Sequence, residues 1–461
     1  MSKIKMLSIL LLFYGLYIVA GMLGGVYLSD IPEASVSQAV KETDERVALV
    51  ESGEEAWHIR REMITQAETS LDIATFSFQG GESVELYYAL LLEAANRGVS
   101  VRLLLDGVFH GMRLTDRRIY EVFLAHENIE VGMYEPLNPF KPWTFNNRMH
   151  DKLMIADNRV GLTGGRNIGD KYFDEKTDGV SYDREIVVMG KESRPETLVM
   201  EMADYFQKLW TQPYVSKRDK PVPTLTGNWR IERTAESLKD RVDNYHLTSL
   251  IIKDTDYWLD KSHAAEKGLF VHNGLERFNK EPAVWKTMLN QLAETEESFL
   301  LKSPYVIMDT YMIESSEQFL FEPDKLTIVT NGIQATPNYL AHSGYRNNRD
   351  DLIESEAHVK EYQSENSSLH MKSFVQDDKW VGIGSFNLDP RSVYLNTESM
   401  LMVKSEELAD EVLSETDKRY GDKLEHAAEG VESKSAQETS RIKKLVIDSL
   451  RPLTMLIERL L

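Results

Sequence analysis

The chain has 461 residues, with 53 Lys and Arg against 74 Asp and Glu, a net charge of −21 and no Cys. That length suits two or three domain-sized units with ample core, and 28% charged with 9% aromatic residues exclude a disordered chain or a multi-span membrane protein. The acidic balance argues against general nucleic-acid binding, which leaves a basic footprint; the lack of Cys excludes disulfide scaffolds, Cys-based zinc sites and Cys nucleophiles.

Residues 6–28 carry no charge, Lys3 and Lys5 precede them, and Asp30 and Glu33 follow. About 20 apolar helical residues cross a bilayer core. The flanking charges predict a single-pass anchor in the cell membrane, with the N-terminus cytoplasmic and the body extracytoplasmic. A cleaved signal peptide is the competing reading, but its apolar core would be shorter, and Gly-Gly-Val-Tyr-Leu-Ser-Asp after Leu23 is a poor cleavage site. Residues 31–46 are polar and acidic and read as a stalk.

Beyond the stalk the pattern alternates. Ala56, Ile59, Met63, Ile64 and Ala67 recur near a 3.6 period and predict a helix over 54–70. A strand over 71–78, a helix over 83–97 and a largely buried strand over 99–105 follow. Strand, helix, strand is a βαβ unit, so the class is α/β. Residues 217–228 read as a linker. A second α/β series follows, with a helix over Ala283–Ala293 behind Pro282 and strands over 299–307 and 326–330. Residues 427–440 are polar and read as flexible. The tail 441–461 places Ile442, Leu445, Val446, Leu450, Leu453, Leu456, Ile457 and Leu460 at helical spacing. It is either a helix docked on the body or an interfacial helix on anionic lipid; Pro452, which would kink a free helix, favours docking.

An internal repeat carries the chemistry. Residues 150–167 and 370–387 both read H-x-K-x4-D-x6-G-x2-N. In an extended segment i and i+2 share a face, so His150 projects with Lys152, and His370 with Lys372. Asp157-Asn158 and Asp377-Asp378 suit tight turns between hairpin strands. Gly164-Gly165 and Gly384-Ser385 admit close backbone approach, and Asn167 and Asn387 follow as amide donors. In-line displacement at phosphorus needs a nucleophile and an acid on opposite sides, which two imidazoles supply. Two Lys and two Asn can hold the non-bridging oxygens as charge builds. No metal or other cofactor is expected.

These residues resemble the phospholipase D superfamily, marked by a duplicated HKD motif. The stretches 164–173 and 384–392, with Asn396 and Glu398, resemble the blocks after the two motifs in bacterial cardiolipin synthases. Ser303-Pro-Tyr305, Val329-Thr-Asn331, His342-Ser-Gly-Tyr345 and Glu361-Tyr362 are similar to the C type. The resemblance covers about residues 47–425. It implies two similar α/β lobes with mixed β-sheets in a pseudo-twofold bilobal body, behind an N-terminal transmembrane helix. The expected division is an anchor over 1–30, a stalk over 31–46, lobes over 47–220 and 221–425, and a flexible segment with an amphipathic helix over 426–461.

By position, the resemblance makes His150 the nucleophile and His370 the acid and later base, with the exchanged assignment open. It makes Asp183 and Glu398 the acids that each orient a His, and leaves Asp157 and Asp377 bracing hairpins rather than touching substrate. The first half carries Ala74-Thr-Phe-Ser-Phe78 where a Tyr-Tyr-Ile-Trp-like strand is frequent, and Lys171 stands where an acidic residue is common. His342, Tyr345 and Arg346 form a polar stretch that could face substrate in the cleft. Trp143 and Phe145 read either as core or as an acyl-chain wall. The expected activity is a phosphatidyltransferase making cardiolipin, acting on phosphatidylglycerol and on phosphatidylethanolamine as an alternative donor, with the membrane as its setting. Hydrolysis by water is the alternative. A nuclease is disfavoured by the charge and the anchor, so no nucleic-acid partner is expected. A non-enzymatic lipid binder is disfavoured by the intact motifs.

Overall fold

A computed structural model describes residues 3–33, 39–112, 116–190, 194–217, 224–248, 257–319 and 321–461. Two nine-stranded mixed sheets form the body. The first runs Val215–Lys217, Ile129–Tyr134, Ser100–Asp106, Ser70–Thr75, Leu153–Ala156, Val160–Gly164, Glu185–Met189, Arg46–Val50, His263–Ala264. The second, in the matching direction, runs Leu424–His426, His358–Tyr362, Leu326–Asn331, Phe299–Lys302, Ser373–Gln376, Trp380–Gly384, Ser399–Lys404, Lys267–His272, Lys41–Glu42. Each has a parallel half of three strands and an antiparallel half built on the motif hairpin. The α/β class and the paired mixed sheets match the sequence expectation.

The two halves exchange their outer strands. Lys41–Glu42 precedes the first sheet in the chain but pairs with Lys267–His272 of the second. His263–Ala264 precedes the second but pairs with Arg46–Val50 of the first. Residues read as stalk are therefore partly built into a sheet. The helices Leu198–Trp210 and Glu406–Tyr420 lie between the sheets. Their Met202, Phe206, Leu408 and Val412 share one buried cluster with Val47, Leu49, Phe270 and Val403. One core joins the halves, so the cleft between them is held rigidly.

Local sequence explains the main boundaries. The helix Gly53–Gln66 starts at a capping box in which Ser52 and Glu55 bond each other's backbone. It stops short of the expected residue 70 because the Asp157 carboxylate takes the amides of Glu68, Thr69 and Ser70, which turns the chain into the next strand. The stretch read as a linker is partly helical: Leu225–Thr248 forms a helix against Glu82–Asn96 and Arg117–Ala125, and Thr224 accepts from Gly227 N–H at its start. Lys434–Glu438 is a short helix within the segment read as flexible.

The N-terminal helix Lys3–Tyr27 holds an apolar span from Lys5 to Tyr27 whose first part is exposed, while Val26 at its end is buried in the body. Its C-terminal half, from Tyr14 to Gly25, is seated on the loop just ahead of His150. Tyr14 and Tyr17 donate to the carbonyls of Pro139 and Phe140 at 3.0 and 2.8 Å. Gly21 and Gly25 lie so close to Pro142 and Trp143 that a Cβ would fall 2.5 and 2.9 Å from them. Trp143 is thus a seat for this helix rather than core. The C-terminal helix Arg441–Leu456 packs on Tyr339–Glu354 with Ile447 and Thr454 buried.

Candidate active site

The motif hairpins Leu153–Ala156/Val160–Gly164 and Ser373–Gln376/Trp380–Gly384 lie in the centre of the two sheets. Their turns place Asp157 and Asn158 at φ 52° and 53°, and Asp377 and Asp378 at 50° and 53°. That left-handed pair is tolerated by Asp and Asn. Asp157 and Asp377 point away from the cleft: Asp377 takes the amides of Glu296, Glu297 and Ser298 as Asp157 takes its three.

Two short parallel pairings then cross between lobes. Arg148–Met149 pairs with Asn396–Thr397, and Val180–Tyr182 with Ser367–Leu369. Each aligns a motif His with an acid from the other half. His150 Nδ1 lies 2.9 Å from Glu398 Oε1, and His370 Nδ1 lies 2.6 Å from Asp183 Oδ2. With Nδ1–H donated to a carboxylate, Nε2 is left free for chemistry. Behind Asp183, Gly165 leaves no room for a side chain, since its Cβ would fall 2.3 Å from Oδ1. At the matching position Ser385 donates to Glu398, as does Ser392 at 2.8 Å. Each imidazole also meets an aromatic edge: Phe76 at 5.1 Å from His150 and Tyr172 at 5.6 Å from His370.

Lys152 and Lys372 each donate to the carbonyl of their own motif His. Asn167 Nδ2 donates to the Tyr172 hydroxyl at 3.1 Å. The Oδ1 atoms of Asn167 and Asn387 are buried without a hydrogen-bond partner among the described residues. His150, Lys152, Asn167, Lys372 and Asn387 are all buried, yet charged or polar, which in a stable protein marks a site awaiting a ligand.

The charges are unequal across the pseudo-twofold. Burial pushes the Asp183 carboxyl up, but Lys372 and His370 outweigh it and hold it at about 2. Burial pushes the Glu398 carboxyl up to about 7, with Lys152 and its hydroxyl donors offsetting only part. Burial and Lys372 drive His370 down to about 3 against the pull of Asp183. Burial, Lys152, Lys372 and Arg391 drive His150 well below the usual imidazole range. Burial lowers Lys152 to about 7 and Lys372 to about 8. An entering phosphodiester anion reverses these shifts for the cations, since it favours their charged forms.

Such strained cations cost stability. Lys152 has a folded pKa below its unfolded one, so between about pH 7 and 10.5 the unfolded chain binds more protons and stability climbs with pH. Lys152→Met is expected to abolish turnover yet raise the pH 7 melting temperature by about 1–3 °C. Differential scanning calorimetry checks this, and a lower melting temperature contradicts it.

The polar stretch on Tyr339–Glu354 finds other partners. Tyr345 donates to Glu361 at 2.9 Å, and Arg346 meets Glu432 and Asp448. His342 is buried beside Tyr345. Tyr345 thus ties the helix to the strand His358–Tyr362, and Arg346 ties it to the C-terminal segment. Sequence reasoning missed the crossing of acids between lobes and the roles of Phe76, Tyr172, Ser385 and Ser392; Glu398 stands near the second motif in the chain yet serves the first, so no local signal gave the crossing.

Two pseudo-symmetric α/β lobes that deliver paired His, Lys and Asn to one cleft define an enzyme of the phospholipase D type. Residues 61–210 and 288–420 match the family model described as cardiolipin synthase, PLD-like domain, and the chain belongs to that family. It is 28% identical to cardiolipin synthase C of Escherichia coli over 80% of this chain and 83% of that one. It is 24% identical to cardiolipin synthase B of Salmonella typhi over 78% and 76%. The fold superposes on phosphatidylserine synthase of Haemophilus influenzae with a TM-score of 0.62 and 14% identity, covering 94% of this chain and 97% of that one. The protein is a phosphatidyltransferase of the phospholipase D type, a phospholipid-modifying enzyme.

Proposed function

We propose that this protein is a membrane-anchored cardiolipin synthase that joins two phosphatidylglycerol molecules. The crossed His–carboxylate pairs on either side of two buried lysines carry the reading. His150 Nε2 attacks the phosphorus of the donor lipid. As the donor's anionic phosphate enters, His370 takes up a second proton from solvent at Nε2; the bond from phosphorus to the headgroup oxygen breaks, and His370 gives that proton to the oxygen, releasing glycerol. Lys152, Lys372, Asn167 and Asn387 hold the non-bridging oxygens, where negative charge grows. The acceptor's hydroxyl then gives its proton to His370, its oxygen attacks phosphorus, and the bond to His150 breaks. His370 takes the acid–base role because Asp183, fixed as a carboxylate, stabilises the imidazolium that role requires.

Membrane placement draws on two features. The apolar helix lies along the loop ahead of His150 from Tyr14 to Gly25, which would hold the cleft near the headgroups. In addition, Ile442, Leu445, Val446, Leu453 and Leu456 of the C-terminal helix are exposed and fall on one helical face. Tyr27, at the end of the anchor, donates to the Leu456 carbonyl at 3.5 Å. We place the N-terminus in the cytoplasm and the body outside it.

Lipid mass spectrometry on the purified protein in phosphatidylglycerol vesicles, with and without phosphatidylethanolamine, tests the reading. Cardiolipin and free glycerol are expected; phosphatidic acid as the sole product would make the protein a hydrolase, and ethanolamine release would name the other donor.

A further inference from the structure

Cardiolipin synthesis brings two lipid phosphates into one cleft, yet the motif Lys and Asn pairs surround only the phosphorus being transferred. The acceptor's phosphate lies a three-carbon spacer away from its attacking hydroxyl. A cation outside the motifs, on the side where that hydroxyl meets the base, would hold it.

Four residues after each motif Asn stands a cation: Lys171 after Asn167 and Arg391 after Asn387. Each sits on the short helix that follows its motif, Asp170–Phe173 or Pro390–Tyr394. The pseudo-twofold therefore carries both to corresponding sides of the cleft. Lys171 is half-buried, and no carboxylate or hydrogen-bond acceptor meets its ammonium among the described residues. Its ammonium lies over the ring of Tyr172, with Nζ 5.0 Å from the ring centre. The same ring packs on His370 at 5.6 Å, so Lys171 stands one aromatic ring outward from the imidazole assigned as base. Burial alone depresses it, with no nearby carboxylate to offset the loss of water. Arg391 is likewise underused: its Nη1 is buried without a hydrogen-bond partner. Its charge acts on His150, which puts it on the nucleophile's side, away from the arriving hydroxyl.

We propose that Lys171 binds the phosphate of the acceptor phospholipid, making a second anion subsite beside His370 that selects an anionic lipid alcohol over water. This rests on the transferase reading above. Arg391 serves the transferred phosphatidyl group instead.

Cardiolipin and phosphatidic acid arise from the same covalent intermediate, so their ratio reports only how that intermediate is resolved, whatever fraction of a variant is folded. In phosphatidylglycerol vesicles, Lys171→Gln is expected to lower the ratio about tenfold, as loss of one charged hydrogen bond does, and Lys171→Arg to keep most of it. With ethanol supplied as an uncharged acceptor, the ratio of phosphatidylethanol to phosphatidic acid should not fall in Lys171→Gln. An unchanged cardiolipin ratio in Lys171→Gln, an equal fall with ethanol, or a fall in Arg391→Gln instead overturns the proposal. A wild-type protein that yields phosphatidic acid and no cardiolipin overturns the transferase reading itself, and is told apart by needing no variant.

Discussion

His370→Asn is expected to halt the enzyme after one covalent step, and His150→Asn before any. The two imidazoles share one geometry, each bonded through Nδ1 to an acid from the opposite lobe, so kinetics separates their roles most cleanly when proton supply is made dispensable. A phosphatidyl ester of p-nitrophenol does this, because nitrophenolate leaves without an acid. With that substrate, His370→Asn should release about one equivalent of nitrophenol in a burst and then stall, since no base remains to activate the acceptor. Steady-state turnover on phosphatidylglycerol should fall by about 10³-fold or more. His150→Asn should give no burst with either substrate. The reverse pattern would exchange the roles, and a burst in neither would point away from a phosphohistidine.

Much of this site was legible because its chemistry is local in sequence. The motif places His and Lys two residues apart on one extended segment, and the Asp-Asn and Asp-Asp turns announce hairpins through the left-handed conformation that those residues tolerate. The crossing of acids was not legible. It depends on two-residue strands such as Arg148–Met149 and Asn396–Thr397, too short to carry a period and far apart in the chain. The same limit hid the strand Lys41–Glu42 in a segment that reads as stalk. The helix Leu225–Thr248 was missed because Pro221, Pro223 and Gly227 at its start signal a break. Tyr345 and Arg346, read as facing substrate, have partners that no local pattern announces, because the carboxylates Glu361, Glu432 and Asp448 that meet them come from distant segments.

Asp183→Asn should cost more than Glu398→Gln, and the two should differ in pH dependence. Asp183 is ionised across the working range, held near 2 against its burial by Lys372 and His370. An amide there cannot stabilise the imidazolium and can reverse the tautomer, an exchange that costs about 10⁴ in kcat where a buried Asp supports a catalytic His in serine proteases. We expect a loss of about 10³–10⁴ with little change in pH profile. Glu398 is different: burial lifts it to about 7, so below neutrality it is protonated and no longer accepts from His150. The imidazole then turns its lone pair toward Nδ1, and Nε2 cannot attack. On the free enzyme kcat/KM should therefore rise with pH through about 7 as Glu398 ionises and fall again as Lys152, near 7, and Lys372, near 8, lose their protons, which leaves a narrow maximum. Glu398→Gln removes the group responsible for the rising limb, leaving activity down by about 10² but flat below pH 7. A pH series of kcat/KM on the wild type and both variants decides this. A rising limb that survives in Glu398→Gln would assign it to another group, and equal losses in the two variants would mean that the pseudo-twofold is matched by an equal division of proton transfer.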